Sequence, residues 1–174
     1  MTREQFEREY AKIVPAFGYR ENKGVGIYTI PAFSAYPGID HGFSARTGGV
    51  STGCYSSLNL SFTRPEQREN VTENYRIFCD AAGIPLESMV LDHYEHGTTV
   101  LLVDRLDCGK GYDKPELPFC DGLVTDDPAV TLITGHRYSC YTVILLGADF
   151  KNHLSEKPSG FRDGSFQSNI RNAG

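Results

Sequence analysis

Apolar residues recur at helical intervals along one stretch of the chain and in short β-rich runs elsewhere. Val71, Tyr75, Phe78 and Ala82 follow the three-to-four-residue spacing that places side chains on one face of an α-helix. Upstream, Thr63 and Glu66 have the spacing of a capping box and Pro65 suits a first helical turn. Gly83 supplies a stop. The pattern predicts a helix over 64–82 with Val71, Tyr75 and Phe78 against a sheet. Phe6, Tyr10, Ile13 and Val14 suggest a shorter helix over 4–14. "GVGIYTIPAF" (24–33), "VLLVDRL" (100–106) and "AVTLIT" (129–134) read as strands. The intervening "DCGKGYDKPELPFCDGLVTDD" (107–127) is rich in glycine, proline and acid and reads as loop. Strands and one clear helix alternate irregularly, which favours an α+β fold over a doubly wound sheet.

The chain has 174 residues, enough for one domain with its own core. A net charge of -5 argues against general affinity for nucleic acid or an anionic membrane. It leaves room for a small anion held by one arginine. The N-terminus is charged from Arg3 onward without an apolar core, so no signal peptide is expected. No run approaches the length of a membrane span. The expected location is the cytoplasm. Five cysteines, at 54, 79, 108, 120 and 140, lie scattered without a CxxC pair. They read as reduced thiols, mostly packed as small hydrophobes, and their spacing excludes a zinc finger.

"HGFSARTGGVSTGCYSSLNLS" (41–61) is the chemically suggestive stretch. It lacks the Walker A lysine and the Rossmann glycine spacing. Two readings stand. Arg46 beside Gly48 and Gly49 could bind an anion through its guanidinium and exposed backbone N–H groups. Alternatively, the glycines make a turn between strands. In "DHYEHGTTV" (92–100), His93 and His96 would share a face only on a helix, and Gly97 with the β-branched residues after it argues against one. On a strand or turn the two imidazoles would diverge. His136 and His153 have no evident partner. No G-x-S-x-G elbow or HExxH motif occurs.

Taken in order, "HGFSARTGGVS…YSSLNL", "HGTTVLLVD" and "LPFCDGLVTDDPAVTLITGH" resemble the YfiH-type, laccase-domain proteins described as purine nucleoside phosphorylases. The likeness runs from about residue 27 to His136. It implies a single α+β domain with four layers, helices outside two mixed sheets, spanning 1–174 but incomplete at its C-terminus. It implies phosphorolysis of adenosine, inosine and methylthioadenosine, with deamination of adenosine. Purine nucleoside and phosphate would be the partners. The family's metal, usually zinc, sits on two histidines and a cysteine. By this resemblance His96 is the first metal ligand, and Arg46 and Asn59 are the arginine and asparagine of the family's site. The likeness then stops. After "TLITGH" the family continues Ala-Asp-Cys. Here Arg137, Tyr138, Ser139, Cys140 and Tyr141 follow, so Cys140 stands one position late as the second ligand. In place of the His-Ala-Gly-Trp-Arg-Gly motif the nearest segment is "PSGFRDG" (158–164), with Pro158 in the histidine's place. A shifted reading frame or a truncation would produce such a divergent tail over 137–174. The expectation is therefore weak or absent zinc and an impaired enzyme, or a catalytically inactive product. The older description as a copper polyphenol oxidoreductase ranks last, because multicopper chemistry needs more imidazoles than five histidines supply.

Overall fold

A computed structural model describes residues 17–34 and 39–135, together with Thr2 and Gln5. The helix expected over 4–14, His136, Cys140, His153 and the divergent tail lie outside this range, apart from Gln5. The described chain is a mixed α/β structure with small sheets and few helices. The chain divides after Leu86 into two compact units.

In the first unit, β1 (Gly18–Asn22) and β2 (Val25–Thr29) form an antiparallel hairpin with Asn22 opposite Val25. The two connecting residues, Lys23 and Gly24, both have positive φ, 51° and 79°. That backbone matches the twist of the paired strands. β3 (Phe43–Ser44) pairs with the other edge of β2, with Ile27 opposite Ser44. Val25 and Ile27 are fully buried. The strand expected over 24–33 thus ends at Thr29, and Pro31–Ser34 forms one helical turn. Proline carries no N–H for a ladder but suits the start of a turn.

The long helix spans Arg68–Ala82 and lies against β2. Val71, Tyr75 and Phe78 are buried, as their spacing predicts. Its start is a correction. Gln67 is the N-cap, with no side-chain cap bond, and Pro65 precedes the helix. Glu66 is drawn away instead to the amides of Asn59 and Asn70. Gly83 ends the helix in the left-handed conformation, φ 78°. The hairpin tip closes this end. Asn22 Nδ2 donates to the Ala81 carbonyl at 2.8 Å, Arg20 reaches the Ala82 carbonyl at 3.3 Å, and Lys23 pairs with Asp80. Two of the carbonyls that a helix leaves unpaired at its C-terminus are so satisfied, and cations favour that end.

The second unit contains two parallel pairs. β4 (Met89–Leu91) pairs with β7 (Thr131–Ile133), and β5 (Val100–Leu102) with β6 (Gly122–Val124). Val90, Val103, Leu117 and Val130 form its core, with Leu101, Cys108, Leu123 and Leu132 packed on it. The run 100–106 leaves its strand at Leu102. Asp104 then caps a short 3-10 turn, Arg105–Asp107, by accepting from Leu106 N–H, while Asp107 returns a bond to the Asp104 N–H. The segment expected to be all loop contains β6. Its Leu123 and Val124 supply the apolar side chains that the composition of the surrounding stretch obscures. None of the described helices is long and apolar enough to cross a membrane.

Of the four described cysteines, Cys79 and Cys120 are buried, Cys108 is half-buried and Cys54 is exposed. Burial pushes the Cys79 thiol up to about 11 and raises that of Cys120 as well. Both therefore sit in the protein as protonated apolar groups.

Candidate functional site

The Arg46 loop is built by its own backbone. Arg46 follows β3, whose next residue, Ala45, donates to the Gly26 carbonyl at 2.8 Å. The Arg46 carbonyl accepts from Ser57 N–H at 3.1 Å, Leu58 N–H at 3.2 Å and the Ser57 hydroxyl at 2.8 Å. Ser51 N–H returns to the Ser57 carbonyl at 2.9 Å. The chain from 46 to 58 is thereby closed at its neck, with a 3-10 turn, Gly53–Tyr55, at its far end.

The two adjacent glycines have a steric cause. Gly48 has φ 90° and lies on the Gly24 carbonyl. At Gly49 a Cβ would collide with the Ser57 carbonyl oxygen, Asn74 Oδ1 and Leu58 Cα. Several N–H groups of this loop are used internally. Gly49 N–H points to Ser57 Oγ at 3.4 Å, Val50 N–H donates to Asn74 Oδ1 at 2.8 Å, and Ser51 N–H is already bonded. The N–H groups of Gly49, Val50 and Ser51 are therefore engaged rather than exposed, which leaves the guanidinium as the charged group available to an anion here. Arg46 is exposed. Its Nη2 donates to the carbonyls of Cys54 at 3.4 Å and Ser56 at 3.3 Å, which braces the turn. Among the described residues no carboxylate forms an ion pair with it. An arginine has five N–H donors in a planar fork, so Nε and Nη1 remain for a ligand.

Asn59 is half-buried and turned inward. Its Nδ2 donates to Glu66 at 2.5 Å and its Oδ1 accepts from Ser61 N–H at 3.1 Å. The Glu66 carboxyl is held below its ordinary value, chiefly by a hydrogen bond from the Ser51 hydroxyl. Partial burial opposes that shift, and the amides of Asn59 and Asn70 reinforce it. The carboxylate thus ties Asn59 to Asn70 at the start of the long helix.

In the second unit, residues 92–99 are not helical. They run beside 117–120, where Glu95 N–H donates to the Cys120 carbonyl and Cys120 N–H to that of His93. The two imidazoles take different partners. His93 Nδ1 meets the Leu117 carbonyl at 3.0 Å, so it carries the proton, and the ring lies on Phe119 at 3.9 Å between centroids. Its Nε2 faces Glu116 at 3.4 Å. His96 is exposed, with its Nδ1 3.0 Å from the Tyr94 hydroxyl and the rings edge to face. If Nδ1–H donates to Tyr94, the lone pair falls on Nε2. This is how an outer partner fixes a metal-binding imidazole. His41 is already occupied: its Nε2 accepts from Ile30 N–H at 2.7 Å.

Among the described residues no three His, Cys, Asp or Glu side chains come together to hold a metal ion. Catalytic zinc takes three protein ligands. His96 offers one donor, so the described residues do not by themselves fit the group. Tyr94 and Asn74 were not singled out in the sequence. Asn74 had a signal, since it falls on the stripe of Val71, Tyr75 and Phe78, where a polar residue needs a buried partner.

The fold and these motifs define a class. Residues 40–152 match the family described as multi-copper polyphenol oxidoreductase laccase, and the chain belongs to that family. Within it, similar proteins carry another activity in their names. Purine nucleoside phosphorylase YlmD of Geobacillus stearothermophilus is 31% identical over 99 residues, which are 56% of this chain and 36% of that protein. The purine nucleoside phosphorylase of Deinococcus radiodurans is 31% identical over 107 residues, 62% and 38% of the two chains. Purine nucleoside phosphorylase LACC1 of Mus musculus is 35% identical over 107 residues, 60% and 23%. The chain therefore spans well under half the length of these relatives. The crystal structure of G. stearothermophilus YlmD superposes with a TM-score of 0.60 at 30% identity, covering 68% of this chain and 43% of that one. That of Bacillus licheniformis YfiH, at 23% identity and a TM-score of 0.57, supports the fold.

Proposed function

We propose that the chain carries part of a purine nucleoside phosphorylase site and that, as 174 residues, it is an impaired enzyme. The observation that carries the reading is the exposed Arg46 guanidinium, braced on a closed loop and without a carboxylate partner among the described residues. Relatives named for this activity supply the substrate class. Arg46 holds phosphate through Nε and Nη1 and offsets its charge. A phosphate oxygen then attacks C1′ of the nucleoside. The glycosidic bond breaks, and the purine leaves with the electron pair and takes up a proton. The sugar 1-phosphate is the other product, ribose 1-phosphate from adenosine or inosine and its 5-methylthio counterpart from methylthioadenosine. Adenosine, inosine and methylthioadenosine are the substrates proposed, with adenosine deamination as a side activity. Asn59 serves the site by fixing the far arm of the Arg46 loop. His96 is the first ligand proposed for zinc, and Cys140 the displaced candidate for the second. The chain is read as one domain of a four-layer fold.

The family's description favours a second reading, oxidation of phenols by copper. The chain has five histidines in all, and His93 and His41 already have hydrogen-bond partners, so this reading ranks below the first.

The 174-residue chain is expected to release negligible adenine from adenosine and phosphate, followed by chromatography. Turnover that His96→Ala abolishes would contradict the impairment. It would mean that residues beyond 135 complete the site.

A further inference from the structure

The Arg46 loop is attached to the long helix through one side chain. Asn74 is fully buried, one of three buried polar residues in the described structure, alongside Ser51 and Ser88. Its Oδ1 accepts from Val50 N–H at 2.8 Å. Its Nδ2 donates to Ser51 Oγ at 2.8 Å and to the Asn59 carbonyl at 2.8 Å. One amide therefore spans both arms of the loop, at residues 50–51 and at residue 59. Both of its N–H donors and its oxygen are used. Gly49 lies so close to Asn74 Oδ1 that no side chain fits between them. On the next helical position, the Tyr75 hydroxyl donates to the Leu60 carbonyl at 2.8 Å. An apolar residue at position 74 could bury the helix face equally well, but it could not join the two arms. Buried amides of this kind fix one arrangement because every alternative leaves a polar group unpaired.

We infer that Asn74 is a positioning residue for the anion contact at Arg46, holding both arms of the loop in the spacing that aims the guanidinium. The inference rests on Arg46 being that contact. Without Asn74, Val50 N–H, the Ser51 hydroxyl and the Asn59 carbonyl lose their shared partner. The bonds of the Arg46 carbonyl to Ser57 and Leu58, and of Ser51 N–H to the Ser57 carbonyl, then remain as the constraint on the loop.

The test is nuclear magnetic resonance of the 174-residue chain, following the Arg46 Nε–Hε signal while inorganic phosphate is added. The amide of Ile27, in the sheet, reports whether the fold is intact. The wild type is expected to shift saturably. Asn74→Ala should need about tenfold more phosphate, with Ile27 unchanged. Ser51→Ala, which removes one of the three bonds together with the hydroxyl's bond to Glu66, should show a smaller loss in the same direction, and one larger than that of Glu66→Gln. A wild type that does not respond would overturn the Arg46 reading and this inference with it. A responsive wild type matched by an equally responsive Asn74→Ala would overturn the inference alone. If Asn74→Ala fails to fold, Ser51→Ala decides against Glu66→Gln: weaker binding in Ser51→Ala than in Glu66→Gln supports the role of Asn74, and equal or unchanged binding overturns it.

Discussion

Replacing Phe78 with alanine is expected to destabilise the protein by about 3–5 kcal/mol, the range for truncating a buried phenylalanine. Phe78 is 5% exposed and lies on the stripe with Val71 and Tyr75 that the long helix buries. Removing the ring forfeits its transfer from water and leaves a cavity. Val25 and Ile27 sit on a strand in a register fixed by β1 and β3, so the surroundings can collapse only in part. Urea unfolding measures the loss. Leu106, 83% exposed on a 3-10 turn, provides the comparison, since Leu106→Ser should change stability by less than about 0.5 kcal/mol. A Phe78→Ala chain as stable as the parent would mean that the helix does not bury this face.

Gly49→Ala is expected to cost about 1–3 kcal/mol, as overpacking does. Two of the three atoms that the new methyl would meet belong to the backbone of Ser57 and Leu58, and the third belongs to the clamped amide of Asn74. None is the free end of a flexible side chain. Relief requires the two arms of the loop to part, which strains the bonds to the Arg46 carbonyl. Gly97→Ala is the control, because a Cβ at Gly97 meets nothing within 4 Å. Its stability should match the parent's. Equal stability of the Gly49 and Gly97 variants would contradict the close packing at the neck of the loop.

The core of the helix was legible because its stripe repeats over three turns, long enough for the 3.6-residue period to stand out. Its beginning was not. Thr63, Pro65 and Glu66 have the residue types of a helix start, but Glu66 is used by Asn59, Asn70 and Ser51, a demand that arises only in three dimensions. The β1–β2 hairpin was missed because Lys23 takes positive φ where asparagine or aspartate is the usual signal. β3 is two residues long, and β4 and β6, at three residues, lack the longer β-rich runs in which the equally short β5 and β7 are embedded. Of the candidate site, the motif around Arg46 was readable, and so was the divergence of His93 from His96. The glycine pair was readable as chemistry or as sterics, and the contacts of Gly48 and Gly49 supply the steric cause. That Asn59 turns inward, and that Tyr94 stands against His96, depends on contacts that spacing does not encode.

The most direct test of a phosphorylase role for these residues is a chimera. Residues 1–135 are joined to the C-terminal segment of G. stearothermophilus YlmD and assayed for adenine released from adenosine. The folded chimera is expected to release adenine only when phosphate is present, and Arg46→Ala should lower that rate by about a hundredfold, as loss of a charged contact does. A folded chimera that releases no adenine, or whose rate is indifferent to phosphate and to Arg46→Ala, would contradict the account.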